Sequence, residues 1–101
     1  MRDPDAFATV SLWPVQTGGR EMPTPADWFG CIAMTAGGNF DCRMRLDEPL
    51  VPGTTRRVQL YFLSPDLAKA HVAGGAPFTL WDGKTIGAGR VERWYNSVAA
   101  E

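Results

Sequence analysis

Apolar and polar residues alternate along most of the chain, which is the pattern of half-buried β-strands. The clearest case is "NFDCRMRL", Asn39 to Leu46, in which every second residue is apolar and the others are polar or charged. Successive side chains of a strand point to opposite faces, so one face can pack on a core while the other carries the charge. Six strands are predicted in this way: Ala6 to Trp13, Phe29 to Met34, Asn39 to Leu46, Arg56 to Leu63, Phe78 to Trp81 and Thr85 to Tyr95.

Turn residues separate these runs, among them the Gly-Gly pairs at 18–19, 37–38 and 74–75. Short strands at such spacing predict an all-β barrel or sandwich. One helical candidate remains, "SPDLAKAH", in which Ser64 can cap, Pro65 takes the first helical position and Asp66 meets the positive end of the helix dipole. We expect one short helical segment near 65–71.

Length and charge limit the possible classes of protein. A chain of 101 residues and 11.0 kDa fits one domain, with a barrel over about 5–95 and flexible ends. A net charge of -1 provides no overall positive field for nucleic acid or an anionic membrane, so any such contact must be local. Since no segment resembles a signal peptide or a membrane span, we expect a cytoplasmic protein without membrane contact.

Cys31 and Cys42 are the only cysteines. Buried reduced thiols are the simpler interpretation, and a disulfide across two paired strands is the alternative. A metal site is not predicted, because His71 is the only histidine and the sequence has no CxxC motif.

The segment Gly87-Ala88-Gly89 raises the question of a phosphate-binding loop. Such loops lead into a helix, whereas Arg90 to Tyr95 is rich in strand formers, and no GxxxxGK[ST] motif is present. We therefore expect no nucleotide or other cofactor. The predicted structural glycines, in turns, bulges or close backbone packing, are Gly53, Gly83, Gly87 and Gly89.

Three segments resemble the third, carboxy-terminal domain of elongation factor Tu. The most specific is "FTLWDGKTIGAGRV", Phe78 to Val91, which is similar to the family's last hairpin: a Phe-containing strand, an acidic-Gly turn, then Thr-Val/Ile-Gly-Ala-Gly. Pro49 to Pro65 is similar to its Pro-Gly turn into an apolar strand, and Phe7 to Pro23 to its first strand followed by Gly-Gly-Arg. The order and spacing agree over about residues 5 to 95.

The resemblance implies a closed six-stranded antiparallel β-barrel and an intracellular protein related to translation GTPases. It implies no GTP hydrolysis, because the family's nucleotide site belongs to a separate first domain that these residues do not resemble. The family's transfer-RNA contacts do not transfer, since its central hairpin differs from "GCIAMTAGGNFDCRMRL", Gly30 to Leu46. The segment Ser64 to Gly75 is longer than the family's link, and we expect it at one rim of the barrel.

Catalytic candidates are weak. His71 follows Asp66 near the predicted helix, where a solvent-facing or capping histidine is the simpler interpretation. Asp47 and Glu48 precede a proline turn, and adjacent carboxylates there typically solvate the loop. We therefore predict that the chain is not an enzyme.

Binding is better supported by the sequence. If Phe78 and Leu80 face the interior, Trp81 faces outward, and the same alternation places Phe7 and Trp13 outside. Exposed aromatic side chains favour a protein partner or a homo-oligomer. The predicted partner-binding residues are Phe7, Trp13, Trp81 and Trp94, with Arg43 and Arg45 nearby.

The alternative prediction is an RNA-binding accessory to translation. Arginine guanidinium groups on or beside strands can hold phosphate bidentately. The arginines predicted for this role are Arg43, Arg45, Arg56, Arg57, Arg90 and Arg93.

Overall fold

The computed structural model describes residues 3–95 and confirms the predicted all-β barrel with one short helix. A 3-10 turn, Val15–Thr17, follows the first strand, and the helix α1 is Pro65–Val72. The predicted flexible ends lie mostly outside the described residues. The six strands are β1 Ala6–Leu12, β2 Asp27–Thr35, β3 Gly38–Leu46, β4 Thr55–Phe62, β5 Phe78–Trp81 and β6 Thr85–Trp94.

The strands form a closed antiparallel barrel in the order β1-β4-β3-β2-β5-β6. The β2–β3 hairpin pairs over its full length, from Asp27 opposite Leu46 to Thr35 opposite Gly38. β2 and β5 pair over Ile32 to Met34, so β2 continues past the end of β5. Closure gives each strand two neighbours, and β1, the first strand, is joined to both β4 and β6.

Alternation places one side of every strand in the core. Ala6, Ala8, Val10 and Leu12 of β1 are buried, whereas the residues between them are partly exposed. Two of these residues are alanines, whose small side chains leave room in a narrow barrel for large ones from other strands. The largest fully buried side chains are Phe62, Phe78, Leu12, Met44, Leu50, Leu60, Leu80, Ile86, Val10 and Val72.

Helix α1 packs on β4 and β6 and buries Ala68 and Val72 completely. Ser64 occupies the N-cap position, but its side chain makes no capping hydrogen bond, contrary to the expectation. Its carbonyl oxygen instead accepts hydrogen bonds from the N–H groups of Leu67 and Ala68, each 3.1 Å long. The helix therefore depends on proline at its start and on burial of one face.

The glycines of β6 allow close packing. A Cβ on Gly87 would lie 2.2 Å from the carbonyl oxygen of Ser11, and one on Gly89 would lie 2.9 Å from the Phe78 ring. The bulges of β6 lie at other residues. Glu92 is the extra residue in the pairing with β1, and Ile86 is the extra residue in the pairing with β5. Gly87 therefore lets the backbones of β1 and β6 approach each other, and Gly89 leaves room for the buried Phe78 ring.

The two predicted turn glycines have positive φ angles. Gly53 has φ +88° in the turn before β4, and Gly83 has φ +80° in the turn between β5 and β6. L-residues other than Asn and Asp rarely adopt this region, so glycine suits both turns.

We expect Gly87→Ala to lower the free energy of unfolding by about 1–3 kcal/mol, because the new methyl group meets β1 backbone that cannot move without loosening the barrel. Urea unfolding followed by circular dichroism measures this change. Gly74→Ala is the matched control, since a Cβ added at Gly74 would have no other atom within 4 Å, and its stability should stay within about 0.5 kcal/mol of wild type. Equal midpoints for both variants would contradict the close approach.

Candidate binding surface

The aromatic residues predicted for partner binding do not form one surface. Phe7 and Trp13 are both partly exposed but lie six residues apart on or beside β1, about 20 Å along an extended strand. Trp13 donates its backbone N–H to the carbonyl of Ile86, which places it near the end of β5, where Trp81 is 38% exposed. Trp13 and Trp81 thus lie at the opposite end of the barrel from Phe7.

Trp94 does not join the outer surface. Its ring stacks on the buried Phe62 ring with centroids 5.9 Å apart, and it packs against the core. The bulge at Glu92 explains this, because it adds one residue between Val91 and Arg93 and so turns Trp94 to the side of Ala6.

The structure instead gathers Arg43 and Arg45 on Trp28. Their guanidinium carbons lie 4.9 Å and 5.4 Å from the centre of the Trp28 ring. Tyr61 approaches the same ring edge-on at 5.1 Å. We call these four residues the Trp28 cluster; they come from neighbouring positions of β2, β3 and β4, with Trp28 opposite Arg45 and Arg43 opposite Tyr61.

Burial within the Trp28 cluster is graded. Tyr61 is buried, Trp28 is half-buried, and Arg43 and Arg45 are exposed. A guanidinium group over an indole ring gains about 0.5–1 kcal/mol at an exposed site, so each arginine is held in place while it stays accessible to a partner. The cluster is thus a positively charged surface with an ordered aromatic centre.

A second group, the Phe7 cluster, is built in the same way at the start of β1. The Phe7 ring meets the Tyr95 ring edge-on at 5.2 Å, and Arg57 lies over Phe7 at 5.0 Å. Arg93 lies 4.9 Å from the centre of the Tyr95 ring. Glu92 pairs with Arg57 through a 3.1 Å Nε to Oε1 contact and accepts a hydrogen bond from Thr9.

Strand register joins the two clusters. Following the paired positions from β2 to β6 gives the sequence Trp28, Arg45, Gln59, Phe7 and Arg93. We call this the arginine-aromatic row. Four strand spacings correspond to about 19 Å measured along the curved outer surface of the barrel.

The row carries a local surplus of positive charge, although the whole chain has a net charge of -1. A groove of about 210 Å³ lies between the clusters, with Phe7 on one side and Arg45 on the other. The charged residues that line this groove are three arginines, Arg45, Arg56 and Arg57, and one acid, Asp47. The local field is therefore positive although the global charge is not.

Two predicted arginines, Arg56 and Arg90, belong to neither cluster, although Arg56 lines the groove between them. Arg56 donates a 2.7 Å hydrogen bond from Nη2 to the carbonyl of Glu48, which directs it toward the loop before β4. Arg90 is exposed on β6 opposite Thr9, between Arg93 of the Phe7 cluster and the start of the strand.

Trp28 and Tyr61 were missed by the sequence prediction. Trp28 lies one residue before the predicted start of its strand, so the alternating pattern did not predict whether its side chain faces inward or outward. Tyr61 falls between the inward Leu60 and Phe62, and an aromatic residue at such an outward position was the available signal.

The weak catalytic candidate His71 lies at the surface, on the helix α1. His71 is exposed and stacks on Phe40 with ring centres 5.4 Å apart. Within residues 3–95, no group of three or more His, Cys, Asp or Glu side chains could hold a metal ion. In the same range, no helix is both long and apolar enough to cross a membrane.

Comparison with known proteins adds no identification. No model of a known protein family matches the chain, and no curated protein matches it. The barrel is confirmed by the structure alone, and the resemblance to the third domain of elongation factor Tu stays a prediction.

We expect the ring of Trp28 and the guanidinium of Arg43 to be coupled by about 0.5–1 kcal/mol. A double-mutant cycle with Trp28→Leu and Arg43→Met, read by urea unfolding, measures the coupling. Arg93→Met combined with Trp28→Leu is the control, because Arg93 contacts Tyr95 in the other cluster, and the two effects should add. Additive effects in both cycles would contradict the described contact.

Proposed function

We propose that this chain is a non-catalytic binding module that recognises a protein partner through the Trp28 cluster. The observation that carries the proposal is the position of Trp28 between Arg43 and Arg45, with Tyr61 beneath it, on an accessible strand face. Trp, Tyr and Arg are the residues most enriched among those that dominate the energetics of protein interfaces. Because these side chains already contact one another, they would lose less conformational freedom when a partner binds.

The charge around the cluster favours a partner with an acidic surface. Arg43 and Arg45 are both exposed, and guanidinium groups bind carboxylates with two parallel hydrogen bonds. A partner that presents Asp or Glu beside an apolar side chain would match both the charge and the indole ring.

The resemblance to elongation factor Tu belongs to this proposal. In that family the outer surface of the third domain packs against other domains and exchange factors, and a related barrel would use its outer surface in the same general way. A cytoplasmic location and a connection with translation follow from the resemblance and are proposed with it.

The test is affinity capture from a nuclease-treated lysate of the source cell, with three forms of the protein compared. We expect a protein that is captured by wild type, lost with Trp28→Ala and retained with Trp81→Ala. Trp81→Ala is a suitable control because Trp81 is exposed but lies outside the cluster. Circular dichroism should show that both variants are folded.

Two results would contradict this proposal. Loss with Trp81→Ala and retention with Trp28→Ala would move the interface to the end of the barrel that carries Trp13 and Trp81. A mass that rises with protein concentration in sedimentation, unchanged by Trp28→Ala, would show self-association through another surface.

A second candidate, binding of single-stranded RNA, is favoured by the arginine-aromatic row. The row follows the curvature of the barrel over five strands, and a flexible single strand of RNA can bend along it. The row holds two aromatic rings, Trp28 and Phe7, each followed by an arginine, Arg45 after Trp28 and Arg93 after Phe7, which suits stacking of bases and contact with phosphates.

Salt dependence separates this candidate from protein binding. With about four phosphates contacted, the logarithm of the affinity for a short fluorescent RNA should fall with the logarithm of salt concentration with a slope near -3. Arg45→Gln should reduce the slope by about 0.7. Lys84→Gln is the control, since Lys84 lies in the turn between β5 and β6, away from the row. A slope near zero in fluorescence anisotropy would exclude this candidate.

A further inference from the structure

Cys31 and Cys42 lie directly opposite each other in the β2–β3 hairpin. They are register partners, both are free thiols, and their Sγ atoms are 3.7 Å apart. Directly paired residues of antiparallel strands have Cα atoms about 4.5–5.5 Å apart, which lies within the range that a disulfide requires. The two sulfur atoms can therefore bond after side-chain rotation, with β2 and β3 left in place.

A groove gives small molecules access to this pair. It has a volume of about 330 Å³, and its lining residues include both cysteines, Trp81 and Asp82. The groove lies beside the part of β2 that continues past the end of β5. Cys31 is half-buried and Cys42 is only 3% exposed, so a reagent in the groove reaches Cys31 first.

We propose that Cys31 and Cys42 form a thiol–disulfide exchange site that reacts with small-molecule disulfides and closes to a cross-strand disulfide. The inference does not rest on the proposed binding function. It assigns a reversible covalent chemistry to two side chains that the binding surface does not use.

The reaction proceeds in two balanced steps. The Cys31 thiolate attacks one sulfur of the small disulfide, forms a mixed disulfide and releases one thiolate, which takes up the proton lost by Cys31. The Cys42 sulfur then attacks the sulfur of Cys31, and the second small thiol leaves with the proton of Cys42. Two protein thiols are oxidised, and one small disulfide is reduced to two thiols.

The environment of the pair supports this order. The hydrogen bond with Cys31 raises the pKa of the Cys42 thiol well above its usual value, and burial and the charge of Asp41 raise it further. Cys42 therefore keeps its proton while Cys31 is unmodified. Once Cys31 is in a mixed disulfide, its sulfur no longer carries the charge that opposes ionisation of Cys42, and the second step can follow.

The test treats the native protein with bis(2-hydroxyethyl) disulfide, a small neutral probe, and follows the intact mass and the number of free thiols. We expect the wild type to lose two hydrogen masses and both thiols, with no adduct accumulating. Cys42→Ala should stop at a stable adduct on Cys31, whereas Cys31→Ala should stay unmodified. The oxidised wild type should unfold at a temperature about 5 °C or more above that of the reduced form, because the crosslink restricts the unfolded chain.

The wild type alone can overturn the proposal, so the result does not depend on whether a variant folds. A stable adduct on wild-type Cys31 would show that the second sulfur does not close the ring. Thiols that react only in denaturant would show that the groove gives no access.

Discussion

The seam between β1 and β6 is the contact on which the barrel depends. It closes the sheet, and the backbones approach so closely that a Cβ on Gly87 would lie 2.2 Å from the carbonyl oxygen of Ser11. Phe7 and Arg93 face each other across the same seam. The arginine-aromatic row therefore continues onto β6 because this seam pairs β1 with β6.

Much of the fold follows from local alternation. All six predicted strands are present with ends shifted by about two residues or fewer, because a half-buried strand must repeat with period two. The short helix is also in the predicted place, although burial of Ala68 and Val72 stabilises it rather than a serine cap. Such features are determined by residues that lie close together in the chain.

The candidate site was harder to predict because it depends on pairing between distant segments. Arg43 and Arg45 were expected to bind a partner, but their contact with Trp28 requires the exact register of β2 against β3. Trp94 was expected on the outer surface, but the extra residue at Glu92 turns its side chain inward, where it stacks on Phe62. Bulges have no strong signature in a single sequence, so an alternation rule fails after the first one.

The order of strands also has a consequence for synthesis on the ribosome. β1 emerges first, yet its two neighbours are β4 and β6, and Ala6 pairs with Leu60 on one side and Trp94 on the other. The β2–β3 hairpin can form as soon as it leaves the exit tunnel, while β1 waits with both edges unpaired until nearly all of the described chain has been made. β1 is short, only seven residues from Ala6 to Leu12, but it contains Phe7, Val10 and Leu12 and no charged residue. Its apolar side chains and unpaired edges therefore stay open to association with other nascent chains during that delay.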